Sequence, residues 1–189
     1  MGDSGLNILV ILENDDLGSE LKSLLVTNNI DYSLDYHSNK EISGLILLSN
    51  KINKEQKKLI TELLRDQIPI IGIDKGFEGL NDLFGGKKLF SKKEVIPLNQ
   101  LFLSPGSKLS HIIGGSGWVK SNFLQSKNII QSQLSDFFFA SIISENGQIL
   151  AFEKPGDHWV FGLNFDLINS ELPKGFDNIL EVFLHKCIE

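Results

Sequence analysis

One cysteine, Cys187, serves the whole of this 189-residue chain, so no intramolecular disulfide can form and no cysteine-based metal cluster can assemble. No uninterrupted apolar run is long enough for a membrane span. Positive charge is scattered. Lys87-Lys88 and Lys92-Lys93 are short pairs broken by Leu89, Phe90 and Ser91, which reads as solvated surface rather than a basic stripe. With 18 Lys and Arg against 24 Asp and Glu the formal charge is -6. A field of that sign repels phosphate backbones, so nucleic acid is not an expected partner. The opening Met1-Gly2-Asp3-Ser4-Gly5 carries neither a basic stretch nor a long apolar one. A signal peptide is therefore not expected, and the cytoplasm is the expected compartment.

What is present is an ordinary globular composition, 41% hydrophobic and 22% charged, at a length that suits a single domain over residues 1–189. Asn7 to Leu12, Gly44 to Leu48 and Pro69 to Ile73 are short continuous apolar runs, the pattern of strands buried on both faces. Ile30 to Tyr36 alternates and reads as a further strand. Between these lie helical patterns: one capped by Asp15 or Asp16 and running to about Asn28, one capped by Asn53 and running to about Gln67, and one over Phe77 to Phe84. Strand and helix alternate, which predicts a parallel sheet with right-handed crossovers. The second half changes character. Short strand-like runs fall at Val95 to Leu103, Gly117 to Val119, Phe137 to Ile143, Gln148 to Glu153 and Trp159 to Phe165, with Glu145-Asn146-Gly147 as a hairpin turn. Gly114 to Gly117 reads as a flexible loop, and Asp177 opens a last helix ending near Cys187. Trp118, Trp159 and Phe137-Phe138-Phe139 are expected to serve core or strand packing.

In open parallel sheets ligands sit beyond the carboxyl ends of the strands. Glu13 to Asp16, Ser49-Asn50 and Gly72 to Glu78 should converge there. In Gly72-Ile73-Asp74-Lys75-Gly76, glycines stand two residues either side of Asp74, between a buried strand and a helix. That spacing permits a sharp turn that lifts the central side chain, the form of a nucleophile elbow.

Ile68 to Glu78 resembles the elbow of the class I glutamine amidotransferases, where a cysteine stands between the glycines and a glutamine follows. Leu80-Asn81 and Phe84-Gly85-Gly86 continue in the family's manner. Pro105-Gly106-Ser107-Lys108-Leu109, then Val119, Ser121 and Gln125, are similar to segments of the γ-glutamyl hydrolase-like branch. So are Asn146 to Glu153 and Val160 to Phe165, in the same order along nearly the whole chain. The resemblance implies a flavodoxin-like, three-layer α/β domain: a mainly parallel central sheet, with additional antiparallel strands in the C-terminal half.

The departures bear on function. Asp74 stands at the family's cysteine, and Asp166 and Ile168 stand at its catalytic histidine and glutamate. Phe123 and Leu124 replace a histidine pair, Ser49-Asn50 replaces a glycine pair of the oxyanion hole, and Glu78 replaces the glutamine after the elbow. Amide hydrolysis of this kind needs a thiolate generated by a histidine. The expectation is a catalytically inactive amidotransferase-like protein with no cofactor. It would bind a small-molecule ligand or protein partner through a remodelled cleft with Ser49, Asn50, Asp74, Lys75, Glu78 and Gln125 as candidates. The competing expectation is a hydrolase of γ-glutamyl or related amides using Asp74, with or without a divalent cation. Glu13, Asp15, Asp16 and Asp74 could supply oxygen ligands to such a cation, although Asp15 and Asp16 also suit helix capping. His111 and His158 lack a second ligand at metal spacing and read as surface.

Overall fold

The computed structural model describes residues 7–13, 19–27, 30–34, 41–87, 90–165, 167 and 172–189. Strands β1 (Asn7–Ile11), β2 (Asp31–Ser33), β3 (Gly44–Leu47) and β4 (Ile70–Ile73) alternate with helices α1 (Ser19–Thr27), α2 (Lys54–Arg65) and α3 (Lys75–Leu83). The remainder comprises β5 (Phe90–Leu103), α4 (Lys108–Ile113), β6 (Gly117–Asn128), β7 (Phe139–Ser144), β8 (Ile149–Glu153), β9 (Val160–Leu163) and α5 (Asn178–Lys186), with a 3₁₀ turn over Gln131–Gln133. The nine strands of the described residues form one sheet in the order β2-β1-β3-β4-β9-β8-β7-β5-β6. From β2 to β9 every pairing is parallel, and from β9 to β6 every pairing is antiparallel. This is the parallel sheet that the alternating first half predicts, within the α/β, flavodoxin-like arrangement with added antiparallel strands that the resemblance implies.

The layers follow from side-chain alternation along the strands. Ile8, Val10, Ile46 and Ile71 point to one face, where Leu21 and Leu25 of α1, Leu109 of α4 and Phe183 of α5 cover them. Leu9, Ile11, Leu45 and Leu47 point to the other, against Ile60 and Leu63 of α2 and Phe77 and Leu80 of α3. Three layers result. In the second core Phe152 lies 4.8 Å from Phe77 and 4.4 Å from Phe138, between ring centroids. The ring occupies the space over Gly162, where a Cβ would collide with it.

Asn53 caps α2 through a reciprocal box. Its side chain accepts the Gln56 N–H at 2.8 Å while Gln56 Oε1 accepts the Asn53 N–H at 3.0 Å. The Asn146-Gly147 turn joins β7 to β8, with Gly147 at φ 75°. Next to it, Glu145 accepts the N–H groups of Asn99 and Gln100 at 2.9 and 3.0 Å, where the β5–β6 register shifts between Leu98 and Gln100. Burial acts against its ionisation, yet these backbone donors outweigh it and hold the carboxyl below its ordinary range.

Several sequence expectations need correction. Helix α4 falls where only a Pro-Gly-Ser segment was evident; Ser107 caps it by accepting the Ser110 N–H at 2.9 Å. Its first turn is also held from outside, because buried Glu153 accepts the N–H groups of Lys108 and Leu109 at 2.7 and 3.1 Å. Burial pushes the Glu153 carboxyl upward against those donors and the Lys108 charge. Strand β6 extends to Asn128, far beyond Val119, because polar residues are tolerated on an edge strand paired on one side. Phe137 (55% exposed) lies at the surface against Phe84 rather than in the core. Trp118 (58%) is exposed too, but it packs across the strands against Phe102, one of the two roles expected of it. Asp177 precedes α5 as expected, but its side chain accepts the Gly175 N–H instead of capping the helix. The capping residues Asp15 and Asp16, and the end of the strand drawn to Tyr36, lie outside the described residues.

Asn81 on α3 pins two loops. Its Nδ2 donates to Gln133 O at 3.0 Å, its Oδ1 accepts the buried Ser135 N–H at 2.9 Å, and it occupies the space over Gly86. Asn81→Ala strands these buried groups and should cost about 2–3 kcal/mol, read as a lower urea midpoint at unchanged m-value.

Candidate functional site

Strands β1, β3 and β4 are parallel, so the segments following them emerge at one end of the sheet. The chain passes from β4 to α3 through the single residue Asp74. At φ 49° and ψ -103° it holds a backbone conformation that glycine prefers. A residue so placed carries strain of about 1–3 kcal/mol and persists only where its surroundings over-determine it. Here they do. A Cβ on Gly72 would collide with the Gly76 carbonyl, and one on Gly76 with the Leu47 carbonyl. A Cβ on Gly79, one turn later, would collide with the Ser49 carbonyl. Helix α3 thus rests directly on the backbone leaving β3. The Asp74 N–H donates to Leu163 O at 2.8 Å, tying the turn to β9 as well. The side chain of Asp74 is exposed and makes no capping bond to α3.

Around this elbow the convergence read from the sequence is realised for the described residues. Glu13, beyond β1, takes the Lys75 ammonium on one oxygen and the Lys51 ammonium on the other, each at 2.5 Å. The hydrogen bond from Lys51, followed by that from Lys75, lowers the Glu13 carboxyl to about 2. Ser49 is fully buried and its hydroxyl accepts the Lys51 N–H at 3.0 Å. Asn50 is exposed and donates from Nδ2 to Glu78 Oε2 at 2.8 Å, joining the β3 loop to α3. Gln125 lies on β6, five strands along the sheet from β4, with its backbone in register with Ile96. Asp15, Asp16, Asp166 and Ile168 lie outside the described residues.

Among the described residues no group of three His, Cys, Asp or Glu side chains is placed to hold a metal ion, and both oxygens of Glu13 are committed to lysines. His111 lies on α4, not in a loop. His158 is half-buried, and its Nδ1 has no partner among the described residues. Cys187 packs at the other end of the sheet, filling the space over Gly44 at the start of β3, and burial pushes its thiol up to about 12. It is neither near the elbow nor ionisable at neutral pH. The Lys51–Glu13–Lys75 clasp escaped the sequence reading. A Lys at each of two strand ends with a Glu at a third was visible, but nothing in the spacing marked them as partners.

Solved structures share this architecture. A candidate GMP synthase component from Thermoplasma acidophilum superposes with a TM-score of 0.70 at 17% identity, covering 97% of this chain and 94% of its own. A glutamine amidotransferase from Thermotoga maritima gives 0.65 at 17% identity, over 96% and 83% of the two chains. One from Methylobacillus flagellatus gives 0.65 at 13%, over 89% and 72%. At these identities the likeness is one of fold: the chain has the α/β architecture of glutamine amidotransferases. No protein-family model and no curated relative matches the sequence. Among the described residues no helix is long and apolar enough to cross a membrane.

Two outcomes test this geometry. Asp74→Gly should raise stability by about 1 kcal/mol by relieving the strained turn, whereas Asp74→Ala should not, as judged from equilibrium unfolding. The depressed Glu13 carboxyl makes its clasp a source of stability above its unfolded-chain value, lost as pH falls through its folded value. A carboxyl-resolved NMR titration should place Glu13 at about 2 and move it upward in Lys51→Ala and in Lys75→Ala.

Proposed function

We propose that this chain is a catalytically inactive, class I glutamine amidotransferase-like protein. In this reading it forms one domain, nearest the γ-glutamyl hydrolase-like branch, and works in the cytoplasm. It binds a small ligand or a protein partner through the cleft at the ends of β1, β3 and β4. The observation carrying this reading is an elbow whose strained backbone is intact, at φ 49° and ψ -103°, but which lifts a carboxylate in place of a thiol. A carboxylate is already ionised at neutral pH and is a weak nucleophile towards amides. The residues matching the family's histidine and glutamate, Asp166 and Ile168, supply no imidazole to generate a nucleophile or protonate a leaving amine.

What remains suits recognition. Asp74 is exposed, Asn50 is hydrogen-bonded to Glu78 on the helix that the elbow opens, and Lys51 and Lys75 are held in place by Glu13. The opposing reading is a hydrolase that attacks with Asp74, favoured by the fact that the strained turn keeps that side chain exposed. An assay of glutamate release from glutamine and a panel of γ-glutamyl amides, with and without divalent cations, separates the two. The expected outcome is no release above the Asp74→Ala background, and none gained by Asp74→Cys alone, since that variant restores a thiol without its base. Release by the native protein that disappears in Asp74→Ala would establish the hydrolase instead.

A further inference from the structure

Among the described glycines, all but one have a visible reason to be glycine: a positive φ, or a neighbour occupying the place of a Cβ. Gly115 has neither. Its φ lies outside the range that L side chains rarely adopt, and a Cβ there would meet nothing within 4 Å. Folding alone does not call for glycine at this position.

Gly115 lines a solvent-open cavity of about 460 Å³, a size within the range of small-molecule sites. The cavity lies four strands along the sheet from the elbow: Leu103, in its wall, ends β5 and stands at the far end of the row Leu103–Ile142–Ala151–Leu163–Ile73. Its floor is apolar, formed by Leu103, Ile113 and Val119. Its rim carries opposite charges three residues apart, Lys174 and Asp177.

The walls are braced. A Cβ on Gly175 would collide with the Ile113 carbonyl, so the 174–177 segment sits hard against the end of α4. Asn178 Nδ2 donates to Ile112 O at 3.3 Å across the same seam. The other end of α4 is held by Glu153. An apolar floor beneath a cation and an anion matches the two ends of a zwitterion. A bare backbone at Gly115 admits close approach of a ligand.

We propose that this cavity is a binding site for a free α-amino acid with an apolar side chain. The carboxylate pairs with Lys174 and the ammonium with Asp177. The side chain rests on Leu103, Ile113 and Val119 and passes the open face of Gly115. No residue of the elbow lines it, and binding there requires no activity at the elbow.

The test uses the full chain with leucine and phenylalanine as probes, and N-acetyl-leucine amide, which lacks both charges, as the control. Binding is read by calorimetry and by the shift in Tm. The expected result is saturable binding of the free amino acids with a rise in Tm, and no binding of the blocked amide. Gly115→Leu should keep the ligand-free Tm while weakening binding by about tenfold or more. Lys174→Ala should weaken it too, and Asp74→Asn should leave it unchanged. Failure of both free amino acids to bind overturns the proposal. So does binding that survives Gly115→Leu, binding lost in Asp74→Asn, or equal binding of the blocked amide.

Discussion

The backbone of helix α3 lies against the backbone leaving β3 with no side chain between them, and the elbow takes its shape from that contact. It exists because Gly76 and Gly79, one helical turn apart, present bare Cα atoms to the Leu47 and Ser49 carbonyls. Gly72 makes room for the Gly76 carbonyl in turn. Once α3 is seated so closely, one residue must reverse the chain direction, and Asp74 takes up the strain. The same seating brings Lys75 within reach of Glu13 and Glu78 within reach of Asn50. The ionic contacts are consequences of the steric one. Exposed ion pairs of this kind contribute little to stability on their own.

An elbow is therefore a backbone property, separate from whatever chemistry is performed on it. The glycines, the reversed turn and the hydrogen bond from the Asp74 N–H to Leu163 specify where a side chain is held, and they are indifferent to what it is. Reactivity depends on a second requirement, a base aimed at the nucleophile, which comes from a different part of the chain. The two can part company, and fold does not carry activity with it. The likeness in fold to glutamine amidotransferases and the carboxylate at the elbow are compatible for this reason.

Much of the architecture was legible because its signals are local. Continuous apolar runs marked β1, β3 and β4, the Asn53 cap marked α2, and Gly72-x-Asp74-x-Gly76 marked the elbow from residue order alone. What the sequence hid was non-local. Helix α4 is only six residues long and owes part of its first turn to Glu153, 45 positions away from Lys108. The full length of β6 depends on pairing with β5 rather than on its own polar sequence. Phe137 misled because hydrophobicity indicates a preference for burial but not whether the fold has room to satisfy it. In the cleft, the residue types were readable, whereas the sharing of Glu13 between two lysines emerged only from the folded geometry.

The pairing of β4 with β9 joins Ile70 to Val160, and the elbow's own hydrogen bond to Leu163 spans the same gap. During synthesis the four parallel strands β1 to β4 and their helices emerge well before β9. Until β9 arrives, β4 presents unpaired backbone N–H and C=O groups between apolar side chains, and the reversed turn at Asp74 lacks one of its restraints. Such long sequence separation slows folding, since the intervening loop must close before any contact rewards it. It also leaves an unpaired strand exposed on the nascent chain. Truncation before Val160 would remove the pairing that closes this edge and the carbonyl that restrains the elbow.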